Sequence, residues 1–98
     1  MNSSEIKSIV ENDLAGAADE NEIRKNLINP EIEKLIDFND ETHELWIVAK
    51  IDEYCIVYNE KEKEYGVAVV NILHEKTFLG LSGTIADAYQ DIVNEEQE

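Results

Sequence analysis

Cysteine, proline and basic residues are all scarce in this 98-residue sequence. Because Cys55 is the only cysteine, no internal disulfide is possible, which excludes a disulfide-stapled secreted fold. No apolar run approaches the roughly 20 residues of a membrane-spanning helix, and the first residues do not combine a basic segment with a long apolar one. We therefore expect a cytoplasmic protein that does not act at a membrane.

The shortage of positive charge is the strongest bias in the composition. Only 8 Lys and Arg residues stand against 23 Asp and Glu residues, which gives a net charge of -15. Without clustered Lys and Arg, no counterion release favours binding to phosphates, so we expect no direct contact with nucleic acid. The same field would speed association with a basic protein, although acidic surfaces also serve solubility alone.

Catalytic and cofactor motifs are missing as well. The glycines fit neither the Walker nor the dinucleotide spacing, and no G-x-S-x-G or H-E-x-x-H pattern occurs. Cys55 lies inside an apolar run, so a small buried thiol is expected rather than a nucleophile paired with His43 or His74. We predict that the protein is not an enzyme and that it uses no cofactor.

A partial calcium-loop pattern occurs at residues 37–41, DFNDE, where oxygen-bearing side chains alternate. Thr42 stands where an EF-hand requires glycine, and Val48 stands where it requires the bidentate glutamate. This excludes an EF-hand and leaves weak, nonspecific cation binding open. No metal site is predicted.

The 43% apolar content indicates one folded domain over residues 1–98 despite the charge. Its predicted parts are a helical segment at 1–40, a strand-rich segment at 44–81, a helix at 84–94 and an acidic tail at 95–98. The fold class we predict is α+β, in which short N-terminal helices precede a three- to four-stranded, mostly antiparallel sheet and a C-terminal amphipathic helix packs on that sheet.

Three short helices are predicted in the first 40 residues. The first follows a cap at Ser3 or Ser4, and the second follows a cap at Asp19 or Asn21. The third would start with Asn29 as its cap and Pro30 at the first helical position, where the missing N–H costs nothing. The apolar positions of the three helices are Ile6, Ile9, Val10 and Leu14, then Ile23 and Leu27, then Ile32, Leu35 and Ile36.

Strands are predicted at residues 45–51, 54–58 and 65–70, and a weaker candidate lies at 77–81, because these runs are rich in β-branched and aromatic residues. Residues 45–59 form either two strands or one long bulged strand. Residues 59–64, NEKEKE, are typical of a solvated hairpin turn. The strands are apolar on both faces, so helices or a second chain should cover them.

The stretch LGLSGTIADAY, residues 79–89, raises the question of a phosphate site. Thr84 and Asp87 fit a capping box, and the apolar residues that follow recur at helical spacing. We therefore interpret the stretch as a strand end, a turn and a capped helix. An anion or small-molecule site at the turn that runs from Gly80 to Thr84 is the alternative, although Asp87 competes for the helix terminus.

The function that we predict is a small protein-interaction module, such as an inhibitor, an immunity-type protein or an adaptor, that binds a basic protein. Aromatic residues often anchor such interfaces, which makes Trp46, Tyr54, Tyr58 and Tyr65 candidate partner-binding residues; their alternative role is core packing. A homo-oligomeric structural or regulatory domain, for example a homodimer, is the second hypothesis, and mimicry of DNA by ordered carboxylates is a special case of the first.

Overall fold

The computed structural model describes residues 1–96. It confirms an α+β fold with a mostly antiparallel sheet and a C-terminal helix packed on it, but the sheet has five strands where three or four were predicted. In chain order the described elements are α1 (Ser3–Leu14), α2 (Glu20–Arg24), β1 (Leu27–Asp37), β2 (Thr42–Ile51), β3 (Tyr54–Asn59), β4 (Glu64–Val70), β5 (Lys76–Gly83) and α3 (Ile85–Glu96).

The five strands form a closed barrel in which each strand pairs with its neighbour in the chain. All four consecutive pairs are antiparallel. The barrel closes through β1 and β5, which run parallel and pair only at Ile36 with Thr77 and at Asp37 with Phe78. Antiparallel neighbours need only short connections, so the order β1 to β5 follows directly from the short turns in the sequence.

Strand β1 corrects the prediction of a third helix with Asn29 as cap and Pro30 at its first turn. The spacing of Ile32, Leu35 and Ile36 suits a helix, but only Leu35 is buried in the structure. Pairing with β2 supplies the backbone hydrogen bonds, so the tertiary context overrides the local pattern. Pro30 lies at an irregularity in the β1–β2 register, where its missing N–H breaks no regular ladder.

Two of the three helix N-caps lie at a residue that the sequence predicted. Thr84 and Asp87 form the predicted capping box of α3, whereas α1 is capped by Asn2, through a box with Glu5, and not by Ser3 or Ser4. Asp19 occupies the N-cap position of α2 in a left-handed conformation, without a capping hydrogen bond from its side chain.

Residues 45–59 form two strands, because the chain reverses at Asp52, whose φ is 54°. The predicted turn at residues 59–64 is present, and the Asn59 side chain accepts hydrogen bonds from the backbone N–H groups of Lys61 and Glu62. Helix α3 extends past the predicted residue 94 to Glu96, so the proposed acidic tail begins inside it and its last two residues lie outside the described part. None of the helices in residues 1–96 combines the length and the apolar character that a membrane crossing requires.

Two separate cores explain why the central strands are apolar on both faces. The inner core fills the barrel and is made by strand residues, whereas the outer core lies between the barrel wall and the helices α1 and α3. The chain therefore covers both faces of β2 and β3 itself. The inner core consists of Leu35, Leu45, Ile47, Cys55, Val57, Ala68 and Phe78; the outer core includes Ile6, Val10, Leu14, Trp46, Val48, Ile56, Tyr58, Tyr65, Ile85 and Ile92.

Candidate functional site

A groove of about 600 Å³ opens between the C-terminal end of α1, the β3–β4 hairpin and the first turn of α3; we call it the acidic groove. Its accessible apolar surface comes from three alanines above the buried Ile85, and its charged groups are three carboxylates and one ammonium. The lining residues are Asp13, Ala17, Ala18, Lys63, Glu64, Tyr65, Gly83, Thr84, Ile85, Ala86 and Asp87.

Tyr65 joins the groove to the outer core. Its ring is buried and packs against Tyr58, with 4.9 Å between the ring centroids, while its hydroxyl donates a 2.7 Å hydrogen bond to Oδ2 of Asp13. Burial, reinforced by the Asp13 carboxylate, raises the pKa of the Tyr65 hydroxyl far above its usual range. The hydroxyl therefore stays protonated and holds the Asp13 carboxylate at the wall of the groove.

Asp87 and Thr84 form the end of the groove at the start of α3. The Thr84 N–H donates to Asp87 Oδ2 at 3.2 Å, and the Asp87 N–H donates to the Thr84 hydroxyl at 3.1 Å. A carboxylate is already bonded to this helix terminus, so an external anion would meet a negative charge there. The local geometry thus gives no support to the anion alternative. Residues 80–83, which were predicted to form a turn, belong to β5, and only Thr84 separates that strand from α3.

The acidic groove is suited to a cation with an apolar stem. Three carboxylates face one ammonium, that of Lys63, and the surface between them comes from Ala17, Ala18 and Ala86. Lysine and arginine side chains combine a methylene stem with a charged end, and they bury the stem while the charge stays near polar groups. The sequence drew attention to Thr84 and Asp87, but nothing in it indicated that Asp13 and Glu64 lie beside them, because the three segments are far apart in the chain.

The candidate partner-binding aromatic residues are distributed mainly through the outer core. Trp46, Tyr58 and Tyr65 are 6%, 4% and 2% exposed, whereas Tyr54 is half-buried against the same core. The Trp46 indole N–H donates to Glu60 at 3.2 Å. Packing accounts for all four positions, and only Tyr65 lines the acidic groove. Contact of these residues with a partner stays a prediction.

A second cluster of polar side chains lies at the β1–β2 turn. Single ligand atoms of Asp37, Glu41 and His43 all lie within 4.8 Å of one another. The His43 Nε2 atom is 2.7 Å from Asp37 Oδ2, and the other oxygen of Asp37 accepts the N–H groups of Asn39 and Glu41. The hydrogen bond with His43 and those from the backbone lower the pKa of the Asp37 carboxyl. These bonds explain the cluster as the scaffold of a tight turn.

Cys55 and His74 both line a cavity of about 200 Å³ at one end of the barrel. Cys55 is 1% exposed, and burial raises the pKa of its thiol, although Lys76 and Lys50 oppose that shift. The thiol is therefore protonated at neutral pH, and no hydrogen bond joins it to His74 within the described chain. The predicted buried cysteine is confirmed.

Comparisons with protein-family models, with curated proteins and with solved structures gave no match to this chain.

Proposed function

We propose that the protein is a cytoplasmic protein-interaction module that binds a basic protein partner, and that an arginine or lysine side chain of the partner enters the acidic groove. In this proposal the protein acts by binding, as an inhibitor or adaptor, and not by catalysis. The observation that carries the proposal is the set of three carboxylates, Asp13, Glu64 and Asp87, around an apolar surface at the first turn of α3.

Geometry and charge support the same occupant. An arginine stem would lie on Ala17 and Ala86, and its guanidinium would reach the Asp13 carboxylate, which Tyr65 holds in place. The net charge of -15 would draw a basic protein toward the surface before contact. Such steering depends on ionic strength, which makes it measurable.

The test is capture of partners from a lysate of the organism that encodes the protein, at about 50 mM and then about 500 mM salt, where exposed charges are largely screened. We expect a basic protein to be retained at low salt and released at high salt. The double variant Asp13→Asn/Glu64→Gln should lose it, because two carboxylates are removed while both side chains keep their size. The amide oxygen introduced by Asp13→Asn would still accept the hydrogen bond of the Tyr65 hydroxyl.

The matched control is Asp40→Asn/Glu44→Gln, which changes the net charge equally at exposed positions near the β1–β2 turn. Retention by the control and loss by the groove variant supports the proposal. Equal loss in both variants would assign binding to the overall field and not to the groove. Failure of the intact protein to retain any basic protein would contradict the proposal outright.

The homo-oligomer hypothesis loses the argument that first favoured it, because the second apolar face of the strands is the inner core of the same chain. Measurement of the mass in solution tests that hypothesis directly. A small organic cation is the other candidate occupant of the acidic groove. A thermal shift with arginine methyl ester, but without any captured protein, would favour it.

A further inference from the structure

Strand β5 leaves most of one edge unpaired at the seam of the barrel. Its pairing with β1 ends at Phe78, so residues 79–83 bond only to β4 on their other side. Across residues 1–96, no loop or helix donates a backbone hydrogen bond to this edge or accepts one from it. An open strand edge is a template on which another extended chain can pair.

The free edge of β1, residues 27–35, lies on the other side of the two closing pairs and is blocked, unlike the β5 edge. Pro30 offers no N–H, and its carbonyl accepts a 3.1 Å hydrogen bond from the Ser3 hydroxyl. Glu31 and Lys34 add exposed charges to β1. Proline and charged residues on an edge protect it against pairing. Residues 79–83, LGLSG, contain neither, although their pairing with β4 shifts register at two points. Leu79 and Leu81 are 37% and 38% exposed.

A second groove, of about 230 Å³, runs beside this edge between β5 and α3; we call it the edge groove. Leu79 and Leu81 contribute to its lining on the strand side, and Asp91 and Glu95 contribute on the helix side. The Ser82 hydroxyl donates a hydrogen bond to Asp91 and fixes that carboxylate next to the strand. An apolar surface and negative charge therefore accompany the unpaired backbone.

We propose that the β5 edge binds an extended segment of a basic protein as an added strand, with apolar side chains on Leu79 and Leu81 and basic side chains toward Asp91 and Glu95. Strand addition obtains affinity from backbone hydrogen bonds and specificity from alternate side chains. The basic character of the segment rests on the proposed function. Pairing with a second copy is disfavoured, because it would bring together two chains of charge -15.

The probe is a fluorescent octapeptide whose even positions alternate valine with lysine and whose odd positions are threonine, so that one face of the strand carries both apolar and basic side chains. Its binding is measured by anisotropy at low salt. Two further peptides carry N-methyl groups on alternate residues, one on the odd positions and one on the even positions. An added strand uses only one of its own edges, so one methylated peptide should bind at least about tenfold more weakly and the other should bind like the parent. The parent peptide should also protect amides of residues 79–83 from exchange.

The protein variants are Leu81→Lys and the control Ile32→Lys, which adds the same charge at an exposed position of β1. We expect Leu81→Lys to weaken binding of the peptide about tenfold more than Ile32→Lys does. Thermal unfolding of both variants checks that they are folded. Absence of peptide binding, equal affinity of the two methylated peptides, or equal effects of the two variants would overturn the inference. If one of these results is found but the acidic-groove variant Asp13→Asn/Glu64→Gln still abolishes capture of the basic protein, the proposed function stands without the added strand.

Discussion

The inner and outer cores differ in what encloses them. The inner core is surrounded by a wall of strands that is hydrogen-bonded from β1 to β5, whereas the outer core is enclosed on one side by helices that contact the sheet through side chains. A cavity inside the wall has little means of collapse, but a helix can shift by a fraction of an ångström. The comparison indicates that the barrel carries the rigidity of the molecule and that the helices adapt to it.

The largest expected effect is the loss of stability when one isoleucine of each core is replaced by alanine. Ile47 of the inner core and Ile56 of the outer core are both 0% exposed and lie on neighbouring strands. We expect Ile47→Ala to lower the free energy of unfolding by about 4 kcal/mol and Ile56→Ala to lower it by about 3 kcal/mol, since only the outer site can relax. Urea unfolding of both variants measures the difference, and equal or reversed values would contradict the comparison.

The next effect concerns the wall between the two cores. A Cβ atom on Gly66 would lie 2.3 Å from the carbonyl oxygen of Gly80, so strands β4 and β5 would have to separate. We expect Gly66→Ala to cost about 3 kcal/mol in urea unfolding. The control is Gly16→Ala, where φ is positive but a Cβ meets open space, with an expected cost of about 1 kcal/mol. A smaller loss at Gly66 than at Gly16 would show that the wall yields.

A smaller effect tests whether the outer core opens independently of the inner core. Thr84→Ala removes the hydroxyl that caps α3 and should cost about 1 kcal/mol, whereas Thr84→Ser should retain most of the stability. Because α3 encloses only the outer core, hydrogen exchange should be faster for amides of α3 than for amides of β3 in both proteins. Equal protection of the two elements would mean that the two cores open together.

The smallest expected effect is on the pH dependence of stability, through the hydrogen bond between Asp37 and His43. The His43 ring lies at one end of the inner core, with 4.9 Å between its centroid and that of the Phe78 ring. The pKa of Asp37 is lowered in the folded state, first by the hydrogen bond with His43. This contribution to stability is complete above the unfolded pKa of about 3.9 and is lost as the pH falls through the lower, folded value. In Asp37→Asn, unfolding midpoints should therefore fall less between about pH 5 and pH 2 than in the unmodified protein. Parallel curves would contradict this assignment.

The sequence predicted the class of fold because β2, β3, β4 and α3 carry strong local patterns. It failed at β1, where Ile32, Leu35 and Ile36 have the spacing of a helix and only pairing with β2 decides otherwise. Closure of the barrel was equally hidden, since no local signal links Ile36 to Thr77. Of the acidic groove, the sequence drew attention to Tyr65, Thr84 and Asp87 but not to the groove itself, because Asp13 and Glu64 reach it through the tertiary fold.

The two residue pairs that close the barrel also bear on the order of folding. Every other strand pair joins neighbours in the chain and forms across a short turn, whereas the parallel pair of β1 and β5 must bring together segments separated by three strands. Loop-closure entropy opposes such distant contacts until the intervening hairpins have shortened the path. The meander from β2 to β4 should accordingly assemble in the rate-limiting step and show high φ-values, and the contact between Ile36 and Thr77 should form after it and show a φ-value near zero.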